Sequence, residues 1–130
     1  MTFYAPKGKK FSDFQIIEAQ DKLYCIFIQN DKHKKRTGEY GNTYGLAVSE
    51  NGHEWTYEGT VKKPGKKGSW DDSSLWAPDI FNVKGKYYML YSAVSTSAPD
   101  PHSTQQVGLS VSDDLKNWKD VTSKPVITTR

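Results

Sequence analysis

The chain has 130 residues, enough for one ordinary domain, and a formal charge of only +3, from 18 Lys and Arg against 15 Asp and Glu. A single cysteine, Cys25, excludes an internal disulfide framework; no apolar run is long enough to span a membrane, and the N-terminus lacks a signal-peptide core. The basic surplus gathers at residues 32–36 and 62–67 with no nucleic-acid-binding motif beside it. These lysines read as solvated loop residues, so neither nucleic acid nor membrane is expected as a partner, and the expected location is cytoplasmic.

Four short segments with strand character come first, at residues 13–17, 22–29, 43–49 and 54–61. Four more follow at 79–83, 86–93, 105–112 and 118–122. Gln20-Asp21, Asn51-Gly52, Lys84-Gly85 and Asp113-Asp114 mark turns between them, and Val83-Lys84-Gly85-Lys86 is a strong hairpin signal because Gly supplies the positive φ of a tight turn. Helical periodicity is absent. The 4 Trp, 8 Tyr and 5 Phe favour strands and supply large buried areas, so the chain reads as all-β.

The two sets repeat each other. Tyr44-Gly45-Leu46-Ala47-Val48-Ser49 returns as Val107-Gly108-Leu109-Ser110-Val111-Ser112, and Trp55 returns as Trp118, at a constant offset of 63. Aligning Asp13 with Asp79 gives an offset of 66, which assigns two extra residues to the first hairpin. Four antiparallel strands repeated at this spacing describe blades of a β-propeller, blade one at about 11–61 and blade two at about 76–122 of a single module over residues 1–130. Propellers close rings of four to eight blades, so two blades need completion. Self-assembly would supply it: a homotrimer is the favoured expectation and a homodimer the alternative, with a longer chain as the other route.

At Trp76-Ala77-Pro78-Asp79-Ile80, followed by Gly85-Lys86-Tyr87-Tyr88-Met89-Leu90-Tyr91-Ser92, the sequence resembles glycoside hydrolase family 43. Ser112-Asp113-Asp114-Leu115-Lys116-Asn117-Trp118 and Ser49-Glu50-Asn51-Gly52-His53-Glu54-Trp55 are similar to that family's blade turns. The resemblance implies a five-bladed propeller glycosidase acting on arabinose-, xylose- or fructose-containing saccharides, with carboxylates on the innermost strands. It implies Asp13 as general base, although the family's His-Asp-Pro is here Ser12-Asp13-Phe14, and Asp79 as the carboxylate that supports the acid. The general acid, a Glu of a third blade, has no counterpart: Glu18, Glu39, Glu50, Glu54 and Glu58 do not begin an innermost strand.

A carbohydrate ligand would meet further candidates. Trp76 offers a face for sugar stacking or for packing between blades, and Trp70, Asp71 and Asp72, which precede the second inner strand, are placed either to border a sugar pocket or to form a plain inter-blade connection. Trp55 and Trp118 read as structural wedges, and His33 and His102 as loop residues. No cofactor is expected and no metal motif has ligand spacing, although inward aspartates could trap a channel cation such as Ca²⁺.

Overall fold

A computed structural model describes residues 7–31, 41–97 and 101–128. Eight strands fill it in chain order: β1 (Lys9–Ala19), β2 (Lys22–Asp31), β3 (Thr43–Ser49), β4 (Thr56–Lys62), β5 (Ser74–Val83), β6 (Lys86–Val94), β7 (Gln106–Ser112) and β8 (Lys119–Asp120). A short 3-10 turn, Pro101–Thr104, precedes β7. They form two four-stranded antiparallel sheets, ordered β1-β2-β3-β4 and β5-β6-β7-β8, the shape of two propeller blades. Inner strands run longer than the pattern suggests, and the last shrinks to two residues. His33, Glu39 and the basic cluster at 32–36 lie outside the described residues.

The two inner hairpins are the same length, which corrects the alignment of Asp13 with Asp79. Ala19 pairs with Lys22 across Gln20-Asp21, and Val83 pairs with Lys86 across Lys84-Gly85. All four turn residues are left-handed, with φ of 51°, 58°, 51° and 85°, as a two-residue type I′ turn requires. The hairpins therefore superpose at an offset of 64, not 66. Asp79, opposite Leu90, then corresponds to Gln15, opposite Ile26. Asp13 corresponds instead to Ala77. The error was two residues, and a two-residue slip leaves strand parity intact, so the apolar pattern could not reveal it.

Each inner strand carries a bulge at the same place, between Ser12 and Phe14 in β1 and between Leu75 and Pro78 in β5. In both blades an aromatic ring of the second strand lies over a glycine of the third. Phe27 faces Gly45 and Tyr91 faces Gly108, and a Cβ on either glycine would collide with the ring.

The core sits between the blades. Tyr24, Ile26, Tyr44 and Leu46 of the first sheet pack against Leu75, Ile80, Met89 and Tyr91 of the second. Full burial of such side chains contributes roughly 1.5–3 kcal/mol apiece. A smaller cluster, Cys25, Phe27 and Ala47, lies on the other face of blade one beneath Phe11, Trp55 and Tyr57. Burial pushes the Cys25 thiol up to about 12, so it is packing rather than chemistry.

The ends of the sheets differ in kind. One end holds the tight turns at 20–21, 50–55, 84–85 and 113–118. At the other, β2, β4 and β6 end and β3, β5 and β7 begin, and there lies the eleven-residue connection 63–73. Loop-bearing ends of rigid scaffolds are where function gathers.

Candidate functional site

At the loop end, backbone hydrogen bonds tie blade one to the start of β5. Gly41 N donates to Ser73 O (2.7 Å) and Leu75 N donates to Asn42 O (3.2 Å). The Tyr44 hydroxyl donates to the Trp76 carbonyl inside the β5 bulge. These bonds fix the path of Trp76-Ala77-Pro78-Asp79. Sequence reasoning missed Tyr44, although a signal existed: the matched position of the second repeat is Val107, which has no hydroxyl to offer.

Asp13 lies in the β1 bulge and Asp79 lies just beyond the β5 bulge; both are exposed. Among the described residues, none hydrogen-bonds or ion-pairs with either carboxylate. β1 and β5 are the sheet-edge strands that contact each other, so the two aspartates occupy neighbouring inner strands. Phe14 follows Asp13 at the register position of Pro78, the place the His-Asp-Pro pattern gives to proline. Trp76 is half-buried in its bulge.

Asp72 is otherwise engaged. Its Oδ1 accepts from Thr96 N (2.8 Å) and Ser95 Oγ (3.2 Å), and its Oδ2 from Gly68 N (2.8 Å) and Thr96 Oγ1 (2.9 Å). The Thr96 amide, with help from the others, holds this carboxyl below its ordinary range. A carboxylate has about four acceptor sites, and all four are used. Asp72 clamps the 63–73 connection to the end of β6 and keeps nothing for a sugar.

Trp70 stacks on Tyr91 with centroids 5.7 Å apart, and its edge borders two shallow hollows of about 440 and 450 Å³. The first also takes in Lys66, Asp71, Asp120 and Thr122, the second Ser95, Ser97 and Gln106. Asp71 is buried and accepts from Ser69 Oγ (2.7 Å) and the Tyr91 hydroxyl (3.2 Å). Burial, then the nearby Asp120 and Asp71 charges, push the Tyr91 hydroxyl well above its ordinary value, so it stays a donor. Lys62 completes the cluster, 2.7 Å from Asp120 and 4.2 Å above the Tyr91 ring. Trp70 thus has a packing role and also lines both hollows.

The blade turns are structural twins. Ser49 Oγ accepts from Gly52 N (2.8 Å), and Asn51 Oδ1 accepts from the amides of His53 and Glu54 (2.9 Å each). Ser112 Oγ accepts from Leu115 N (2.9 Å), and Asp114 Oδ1 from the amides of Lys116 (2.9 Å) and Asn117 (2.8 Å). Trp55 and Trp118 each donate their indole N–H back into the turn, to Gly52 O and Leu115 O. Both tryptophans are the wedges their repetition suggests.

Glu50, Glu54 and Glu58 rim a hollow of about 250 Å³ at the turn end of blade one, away from the inner strands. Glu50 pairs with Lys22 (3.6 Å) and Glu58 with Lys116 (3.4 Å). Glu39 lies outside the described residues. Among the described residues, no three His, Cys, Asp or Glu side chains gather where one metal ion could bind. No helix is long and apolar enough to cross a membrane there either.

Comparison with known proteins places this geometry. The chain is 38% identical over 79 residues to arabinan endo-1,5-α-L-arabinosidase A of Aspergillus aculeatus, covering 60% of this chain and 24% of the relative. It is 41% identical over 81 residues to a probable arabinan endo-1,5-α-L-arabinosidase A of Emericella nidulans, with the same coverage. The chain therefore spans about a quarter of the length of the curated relatives it matches. Among solved structures, a family 117 glycoside hydrolase of the marine bacterium Zobellia galactanivorans superposes with a TM-score of 0.75 at 23% identity, over 92% of this chain and 41% of that one. A family 43 β-xylosidase/α-arabinofuranosidase from a compost metagenome, in complex with xylotriose, gives 0.68 at 22% identity, over 89% and 35%. At such identities the superpositions establish the fold alone. The family model for glycosyl hydrolases family 43, however, matches residues 8–129. From the first bulged inner strand to the last turn, this chain belongs to glycosyl hydrolase family 43.

Proposed function

We propose that the chain supplies part of a glycosidase site for arabinose- or xylose-containing saccharides, with arabinan-type chains the first substrate to test. The observation that carries this reading is the pair of exposed, unpartnered carboxylates, Asp13 and Asp79, on adjacent inner strands. Asp71, Asp72, Asp114 and Asp120 are held by hydrogen bonds or an ion pair. Asp21 is as free as Asp13 and Asp79 among the described residues but lies in a hairpin turn, so it is their place at the loop end of adjacent inner strands that sets these two apart. The family and its arabinan-cleaving relatives support the sugar class. Asp13 takes the role of base, drawing a proton from water, and Asp79 supports it from the next blade. Trp76, half-buried, and Trp70, which lines two neighbouring hollows, are the aromatic side chains within reach of a sugar.

Glycoside hydrolysis also needs a protonated carboxyl across the scissile bond. Among the described residues no inner-strand Glu fills that place, so a further blade must bring it. That gap favours a second reading, a propeller piece that binds saccharide without cleaving it. Incubation with α-1,5-arabino-oligosaccharides and xylo-oligosaccharides, with binding followed by calorimetry and products by chromatography, separates the two. Turnover that falls about 10²–10⁴-fold in Asp13→Asn supports the enzyme. Binding lost in Asp79→Asn without any turnover supports the binder, and no interaction with either sugar class overturns both.

A further inference from the structure

The connection 63–73, between β4 and β5, is tied to itself more closely than a link between two sheets requires. Gly65 N donates to Asp71 O (3.0 Å), Ser69 N to Lys66 O (2.9 Å) and Gly68 N to the Asp72 carboxylate (2.8 Å). Asp71 Oδ1 lies so close to Gly65 that a Cβ there would collide with it. A compact loop closed by its own hydrogen bonds holds a fixed surface, and a fixed surface binds at a lower ordering cost.

Charge is sorted within this loop. Asp71 is 4% exposed and accepts from Ser69 Oγ and the Tyr91 hydroxyl, and the acceptors of Asp72 are filled by residues 68, 95 and 96. Lys63, Lys66 and Lys67 are exposed, and among the described residues none of them has an acidic partner. Lysines on a solvated loop are ordinary, and charge alone assigns nothing. The hollow beside Lys66 does.

That hollow, of about 440 Å³, is bounded by the loop and by the segment that follows β8. Of the charged groups on its wall, Asp120 pairs with Lys62 (2.7 Å) and Asp71 is held by its two hydroxyl donors. Lys66 is the one charged side chain of the wall without a partner among the described residues. Beside it stand the Trp70 indole and the hydroxyls of Ser69, Thr122 and Ser123. Ser69 and Trp70 also line the second hollow, of about 450 Å³, where Ser95, Ser97 and Gln106 add further polar groups. Both volumes suit a small ligand. One ammonium, one aromatic side chain and several hydroxyls match a hydroxylated ring that carries a single carboxylate. A phosphate, with its higher charge and three acceptor oxygens, calls for more donors of positive charge than one lysine.

We propose that the hollow at Lys66 and Trp70 binds a uronic-acid residue of an acidic saccharide, with the Lys66 ammonium on its carboxylate and the second hollow receiving the adjoining sugar. The site uses neither Asp13 nor Asp79, so it goes beyond the glycosidase reading and does not depend on it. It holds an acidic polysaccharide at the loop end of the sheets, and the unpaired lysines around it speed the encounter.

Calorimetry with trigalacturonic acid and with its methyl ester, which keeps the rings and removes the charge, reads the proposal directly. The acid should bind at least about tenfold more tightly than the ester, and added salt should weaken the acid alone. Amide shifts of the ¹⁵N-labelled chain should fall on residues 65–71 and 121–123. Lys66→Gln should weaken the acid about tenfold and leave the ester unchanged. Lys84→Gln makes the same change of charge at the turn end, where Gln20 already holds the matching place in blade one's hairpin, and should alter neither. Both lysines are exposed, and a thermal melt confirms that each variant folds. No binding of the acid, equal binding of acid and ester, equal losses in the two lysine variants, shifts gathered elsewhere, or a single-stranded oligonucleotide bound as tightly as the acid would each overturn the proposal.

Discussion

Blade one and blade two agree at their turn ends and diverge on their inner strands. The same two-residue hairpin turn, the same Ser-anchored blade turn and the same ring-over-glycine contact recur. At matched positions the inner strands instead read Asp13-Phe14-Gln15 and Ala77-Pro78-Asp79. Repetition marks what each sheet needs in order to fold, and its loss marks what is left free for chemistry. The difference also explains the geometry: a bulge at the same place in both strands turns an aspartate outward in one and sets it beyond a proline in the other.

The largest effect should separate the buried junction from the exposed side chains of the inner strands. Met89→Ala should destabilise the isolated chain by about 3 kcal/mol, because a fully buried side chain leaves a cavity between blades. Phe14→Ala should cost only about 1 kcal/mol, since its ring is 57% exposed and stacks on Phe11. Denaturant titration measures both, and equal costs would contradict that difference in burial. The glycines come next. Gly45→Ala and Gly108→Ala should each cost about 1–3 kcal/mol, since the added carbon meets the Phe27 or Tyr91 ring. A marked inequality would show that the two blades are not packed alike.

The blade turns sharpen the comparison further. The Asn117 amide and side chain hold the Asp114 carboxyl well below its ordinary range. A depressed carboxyl stabilises the fold above its unfolded pKa and loses that contribution as pH falls through the folded value. Stability should therefore drop below about pH 4, with Asp72 contributing in the same direction. Asp114→Asn should flatten part of that drop, because Asn51 already does the same work in blade one without a charge. Asp114→Ala should cost about 1 kcal/mol at neutral pH, as removal of a capping side chain does. The smallest effect belongs to Lys116→Ala, under about 0.5 kcal/mol, since its pair with Glu58 is exposed.

Much of this fold was legible because its signals are local. Lys84-Gly85 writes its hairpin in two residues, and Trp55 and Trp118 announce matched turns. The register of β1 was not legible. Gln20 and Asp21 adopt the left-handed turn without a glycine, so Asp13 looked like the repeat of Asp79. Asp72 read as a sugar ligand because its four donors come from residues 68, 95 and 96, two of them some two dozen positions away. Long-range hydrogen bonding of that kind leaves no trace in spacing. A motif points to Trp76 and Asp79 and repeat position points to Asp13, whereas the role of Tyr44 is visible only as a difference between repeats.

The most direct test is an NMR titration of the ¹⁵N-labelled chain with an α-1,5-linked arabinotriose. The account predicts that amide shifts concentrate on the inner strands around Asp13, Trp76 and Asp79 and on the neighbouring 63–73 connection, and that Asp79→Asn weakens them. Shifts gathered instead at the turn end, around Glu50, Glu54 and Glu58, or none at saturating sugar, would contradict it.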